Sequence, residues 1–135
     1  MIDLISNFNK TLRKYNMLTS GDHVLIALSG GPDSVALFHL LYTISKEWKL
    51  DLSIGHLNHM VRGRDSDEDA DFVSRIGAKF GVPVFIERID VIREKTRLKT
   101  SFQEAARILR YSFLEDTLQK IDGNKVALGH TGDDQ

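Results

Sequence analysis

Apolar residues along this chain alternate between two rhythms, one of helices and one of short buried strands. Ile5, Phe8, Leu12 and Tyr15 recur at helical spacing, which predicts an amphipathic helix over 3–16. Thr19-Ser20-Gly21-Asp22 reads as a turn. The run His23–Leu28 is short and almost wholly apolar, as a strand covered on both faces requires. From Asp33 to about Glu47 a helix carries Leu37, Leu40, Leu41, Ile44 and Trp48 along one stripe. Leu50–Leu57 predicts a second strand. Residues 65–80 predict a second helix, packed through Val73, Ile76 and Phe80. Its start, Asp65-Ser66-Asp67-Glu68-Asp69, is acidic, which suits the positive end of a helix. Gly81 ends it, and Val82–Ile89 predicts a third strand. Asp90 is placed to cap a short helix through Arg97. Ser101 and Glu104 predict a capping box at the head of a helix over 101–120. Its stripe is Phe102, Ala105, Ala106, Leu109 and Phe113, and Lys125–Gly129 predicts a fourth strand.

Strands alternating with helices build βαβ units, so the expected fold is α/β with a doubly wound parallel sheet. Repeats, low-complexity tracts and linkers are not found in the sequence. Its 135 residues fit one compact unit, 1–135, and a hydrophobic fraction of 41% suffices for a core. The formal net charge of −1 provides no global basic field for nucleic acid. With no cysteine, disulfides, thiolate zinc sites and cysteine nucleophiles are excluded within this stretch. The amphipathic N-terminus, MIDLISNFNKTLRKY, is neither a signal peptide nor a membrane span. A soluble, cytoplasmic protein with no membrane partner is the expectation.

The link between the first strand and the first helix carries the chemistry. Ser29-Gly30-Gly31-Pro32-Asp33-Ser34 joins them directly. Two glycines allow a sharp turn and close approach of a ligand. Pro32 suits the first helical turn, whose free N–H groups form an anion site. Such a hexapeptide arises by chance on the order of once per million positions at average residue usage. It is not a Walker A loop, because no lysine lies between Gly21 and Lys46 to reach terminal phosphates. A glycine turn with an acidic residue resembles the pyrophosphate loop of the ATP-pyrophosphatase (PP-loop) superfamily. That resemblance implies cleavage of ATP between its α and β phosphates.

Ligands of an open parallel sheet bind outside the carboxyl ends of its strands. The first strand ends in the glycine loop, and the second in His56-Leu57-Asn58-His59-Met60-Val61-Arg62. The third leads into the basic stretch before Ser101, and the fourth ends in Gly129-His130-Thr131-Gly132-Asp133-Asp134-Gln135. His56, Asn58, His59 and Arg62 bind adenine, ribose or a substrate, or else only cap and close the strand end. His56 and His59 alone are a poor metal site, which needs three or four ligands. Arg110 falls at the rim of the apolar stripe, aimed into the site rather than snorkelling, while Arg107 admits both readings. Asp133 and Asp134 either cap the next helix or, with Asp33, offer magnesium its carboxylate oxygens. His130 is placed to donate to a phosphate or to the acceptor oxygen.

In that order, the four blocks resemble the tRNA(Ile)-lysidine synthetase family. They are Ser29–Ser34, His56–Gly63, Ser101-Phe102-Gln103-Glu104-Ala105-Ala106-Arg107 with Arg110-Tyr111, and Gly129-His130 through Asp133-Asp134-Gln135. The likeness covers residues 20–135, and the family usually has alanine where Gly129 stands. It implies a two-step ligase. ATP adenylates the carbonyl oxygen of the wobble cytidine of tRNA(Ile), and free L-lysine then displaces AMP to leave lysidine. By motif match Ser29, Gly30, Gly31, Pro32, Asp33 and Ser34 hold ATP, joined by His56, Asn58 and Arg107. Asp33 and Asp134 serve Mg2+, while Arg110, His130 and Asp134 assist catalysis. Family members run past this point, so residues 1–135 are expected to be the N-terminal portion of a catalytic domain. In the expected strand order 3-2-1-4-5, the fourth strand is then left as an edge. Such a fragment is expected not to complete the reaction alone, most tRNA contacts lie downstream, and a homodimer stays open. Thiolation by a related PP-loop enzyme, or a non-catalytic ATP-binding module, are the competing readings. The first is disfavoured by the lack of cysteine.

Overall fold

The computed structural model describes residues 18–60 and 64–128, with the backbone alone at 64–66. The helix expected over 3–16, Arg62, and the segment 129–135 with His130, Asp133 and Asp134 lie outside the described residues. The elements run β1 (His23–Ala27), α1 (Pro32–Trp48), β2 (Asp51–Asn58), α2 (Arg64–Phe80) and β3 (Val84–Arg88). They continue with α3 (Val91–Leu98), α4 (Phe102–Lys120) and β4 (Lys125–Leu128). The four strands form one sheet in the order β3-β2-β1-β4, with every pair parallel. β1 lies inside, with His23 opposite Asp51 and Val24 opposite Lys125. The doubly wound α/β expectation therefore holds, and β4 is an edge among the described strands.

Both faces of the sheet are covered, which explains the unbroken apolar run in β1. Val24, Ile26 and Ile54 face α1 and α2, packing on Phe38, Leu41, Ile44, Val73 and Ile76. Leu25 points the other way, to Phe113 and Leu114 of α4. Gly55 of β2 lets α4 come close, since a Cβ there would stand 3.4 Å from side-chain atoms of both Phe113 and Leu114. Asn124 N–H donates to His23 O at 3.0 Å, so α4 ends where β1 begins. The other end of α4, at Phe102, is thereby delivered to the carboxyl ends of the strands.

The buried line of α1 is Ser34, Phe38, Leu41, Ile44 and Trp48, not one led by Leu37 and Leu40. Hydrogen bonds in the preceding loop draw Ser34 inward and rotate Phe38 to the centre of the face. The inner positions of α4 are Ala105, Phe113, Leu114 and Thr117, and the Thr117 hydroxyl donates to Phe113 O at 2.8 Å. β3 starts at Val84 instead of Val82 because Pro83 has no N–H for the ladder, although its carbonyl still accepts from Ile54 N–H. Ser101 and Asp90 both cap as expected, accepting from Glu104 N–H and Arg93 N–H at 3.1 Å. The capping box is half made: the Glu104 carboxylate turns instead to Arg107 Nη1, 2.9 Å away.

Candidate functional site

The glycine loop is held by its own two serines. Ser34 is buried, and its hydroxyl donates to Gly31 O and accepts from Ser29 N–H, both at 3.1 Å. Ser29 Oγ, 3.1 Å from Ser34 Oγ, accepts in turn from Gly31 N–H at 3.2 Å. The hydroxyl of Ser29 then fills the remaining lone pair of Ser34 Oγ, so the Ser34 hydroxyl is fully used. Ser34 thus shapes the loop from beneath. Gly30 has φ +96°, and Gly31, with extended backbone, is the N-cap of α1 with Pro32 next to it. The first helical bond is Val35 N–H to Gly31 O, 3.1 Å. The N–H groups of Asp33 and Ser34 precede it and point out of the helix end. Anions are favoured there.

A carboxylate also stands at this loop. A Cβ on Gly30 would lie 3.2 Å from Asp69 Oδ1, so the exposed Asp69 of α2 rests against it. Asp33 is exposed in the first turn of α1.

At the end of β2 the alternating side chains divide their roles. His56 is buried, with Nδ1 2.8 Å from Leu28 O. A carbonyl only accepts, so Nδ1 carries the hydrogen, and in the neutral ring Nε2 is then the acceptor. That Nε2 is buried and meets no donor among the described residues. Asn58, also buried, donates to Asp67 Oδ1 at 3.0 Å and accepts from Met60 N–H at 2.9 Å. It closes the strand end, fixing Met60 at φ +58° and tying β2 to the start of α2. Arg88 lies 3.4 Å from the same Asp67 oxygen.

His59 faces the head of α4, its ring 6.5 Å from that of Phe102 and nearly perpendicular to it. Burial first, then the positive charge of Arg110, then His56, hold the His59 pKa below its ordinary value of 6.5. The ring is therefore neutral near pH 7. Arg110 is half-buried, with its guanidinium 5.4 Å from the Tyr111 ring centroid. Arg107 is exposed, 5.6 Å from the same ring and paired with Glu104. His56 meets the residue just before the glycine loop through Leu28 O, and both His56 and Arg110 lie near enough to His59 to act on its charge. Among the described residues no group of three or more His, Cys, Asp or Glu is arranged to hold a metal.

A profile of the PP-loop domain matches residues 3–135. The chain belongs to the PP-loop family. Over 135 residues this PP-loop chain is 37% identical to a tRNA(Ile)-lysidine synthase of Clostridium tetani and 38% identical to one of Geobacillus kaustophilus. In both cases all of this chain is aligned with 28% of the relative. The protein of the same name in Clostridioides difficile is 38% identical over 125 residues, 93% of this chain and 27% of that one. The chain therefore spans little more than a quarter of the curated relatives it matches. Its fold is similar to that of the U34-tRNA thiolase NcsA from Methanococcus maripaludis, solved with its [4Fe-4S] cluster. The TM-score is 0.74 at 21% identity, over 96% of this chain and 46% of the thiolase. No described helix is long and apolar enough to cross a membrane.

Sequence reasoning missed Asp69 at the PP-loop. It lay in the acidic start of a predicted helix, and only the crossover geometry carries it to Gly30.

Proposed function

We propose that this chain is the ATP-using part of a ligase that converts the wobble cytidine of tRNA(Ile) to lysidine. The observation that carries the reading is the serine-braced loop with outward amides, set beside His56 in a chain aligned end to end with lysidine synthases. The phosphates of ATP rest on the first turn of α1, where N–H groups and the helix dipole favour negative charge. Buried His56 Nε2 takes a hydrogen bond from an amino or hydroxyl group of the nucleotide or acceptor base. The carbonyl oxygen of cytidine attacks the α-phosphorus, and pyrophosphate leaves with the broken P–O bond. The ε-amine of free lysine then adds to the same ring carbon, loses a proton, and AMP departs as that C–O bond breaks. Adenylation turns a poor leaving group into a good one. Arg110 offers a fixed positive fork to the charge that develops on phosphate or oxygen. His130 and Asp134, outside the described residues, are assigned to the same step.

Magnesium fits the donor set. Hard cations take carboxylate and phosphate oxygens, and exposed Asp33 and Asp69 flank a loop meant for phosphates. A carboxylate against that loop repels a bare triphosphate, so a bridging cation resolves the conflict. Asp33 and Asp134 would hold the ion, which neutralises phosphate charge when bound.

Thiolation is the second reading, favoured by the fold of the thiolase neighbour. An iron–sulfur cluster is held by cysteine thiolates, and these 135 residues contain none. The test is exchange of labelled pyrophosphate into ATP by the intact protein, with and without tRNA(Ile). Exchange that needs tRNA, followed by lysine-dependent AMP release, is expected. ATP binding without exchange would make the chain a nucleotide-binding module, and sulfur transfer to the tRNA would make it a thiolase.

A further inference from the structure

The charge of this chain is unevenly placed. Residues 88–110 hold seven basic side chains against three acidic ones, a local excess of +4 in a chain of net charge −1. The three acids are all used within the segment. Asp90 caps α3 through Arg93 N–H, Glu94 holds Arg97 at 2.6 Å, and Glu104 holds Arg107 at 2.9 Å. Arg93, Lys95 and Lys99 are left without an ion pair among the described residues. Val91 and Leu98 mark the inner side of α3, which packs on α4. At about 100° per residue, Arg93 and Arg97 then share the opposite side, one turn or about 6 Å apart along the axis. Both are exposed, as is Lys99, which ends the helix at φ +56°.

This basic edge is continuous with the site. Val91 N–H, which opens α3, lies 3.4 Å from His59 O, and Ile89 N–H donates to Asn58 O at 2.9 Å. α3 thus starts where the His56–His59 segment ends, and its exposed cations extend outward from that rim.

We infer that the outward face of α3, through Arg93 and Lys99, binds the phosphate backbone of the RNA whose base enters the site. The inference rests on the function proposed above and assigns a surface to its RNA substrate. Phosphate contacts position a nucleic acid without reading its sequence, and they are salt-dependent. An edge contiguous with the reaction centre suits the strand that must present its base there, more than it suits an unrelated acidic protein.

The experiment uses the intact protein and measures tRNA binding across a salt series, together with ATP binding and tRNA-dependent pyrophosphate exchange. The double variant Arg93→Ala/Lys99→Ala is expected to bind tRNA about tenfold more weakly at ~0.1 M salt. Its log K against log salt slope should fall by about 1.5, the loss of two phosphate contacts. ATP affinity should stay as in the parent. Arg93→Lys/Lys99→Arg should retain binding, which separates charge from misfolding. Lys46→Ala/Lys79→Ala, in the last turns of α1 and α2 at the other end of the sheet, should change nothing. Unchanged tRNA affinity and slope in the alanine pair, with exchange still dependent on tRNA, would overturn the surface alone. So would loss of polyglutamate binding with tRNA binding intact, which would point to a protein partner. A parent protein that binds no tRNA and exchanges no pyrophosphate would overturn both the surface and the function it rests on.

Discussion

The carboxylate of Asp69 occupies the space into which a side chain at Gly30 would project, with Oδ1 3.2 Å from the Cβ position. Gly30 is also at φ +96°, where a Cβ is strained by about 1–2 kcal/mol. Gly30→Ala should therefore carry two penalties, and Gly21→Ala only one. Gly21 has φ +90° with nothing near its Cβ position, at the opposite end of β1. Gly21→Ala should lose about 1–2 kcal/mol in chemical denaturation, and Gly30→Ala more than Gly21→Ala. Only Gly30→Ala should also lose ATP binding in calorimetry. Equal ATP affinities would mean that the loop does not hold the phosphates.

The two carboxylates at this loop, Asp33 and Asp69, bear on magnesium. Asp33→Ala should abolish pyrophosphate exchange while leaving the melting temperature within about 2 °C, as for an exposed residue outside the core. Asp69→Asn should act differently. Removing one exposed negative charge near the loop should tighten magnesium-free ATP binding by about fivefold, which corresponds to ~1 kcal/mol for two charges near 4 Å in water. It should also make binding less dependent on magnesium. Normal exchange by Asp33→Ala would refute its metal role, and unchanged magnesium-free affinity would remove Asp69 from the site.

Much of this arrangement was legible in the residues themselves. A buried strand, a glycine turn and a proline at the helix start specify the loop because each residue type there has one strong local reason. The parallel order follows from strands alternating with helices. What sequence could not supply was direction across the fold. Ser34 and Asn58 read as ligand contacts because serine and asparagine at strand ends have free hydrogen-bonding groups until their partners are known. In the structure those partners are Gly31 and Ser29 for one, Asp67 and Met60 for the other. Asp69 read as a helix-end acid for the same reason. Its meeting with Gly30 depends on how α2 crosses over the sheet, which no spacing within a helix encodes.

Asn58 should behave as a brace. Both ends of its buried amide are engaged, so Asn58→Ala leaves Met60 N–H and the Asp67 carboxylate without it. A loss of about 1–3 kcal/mol in folding stability is expected, with the melting transition shifted down. At a temperature where the variant is folded, ATP affinity should fall by less than about threefold, since 1 kcal/mol corresponds to about fivefold. A large affinity loss in a variant of unchanged stability would place Asn58 in contact with the nucleotide instead.

His59 gives the chain a dependence on pH whose sign is fixed. Burial, Arg110 and His56 hold its pKa below 6.5 in the folded protein. The unfolded chain therefore binds the proton first as pH falls, and folding resists it. The stability owed to neutral His59 is fully present above about pH 6.5 and is lost as pH drops toward the lowered folded value. Denaturation midpoints measured from pH 7 down to about 5 should fall more steeply in the parent than in His59→Gln, which does not titrate there. Arg110→Ala should move the His59 ring-proton titration in NMR upward, because it removes the second cause of the shift. Parallel stability profiles, or a His59 titration indifferent to Arg110, would mean that the arginine does not face the histidine and that the proposed site lacks its positive wall.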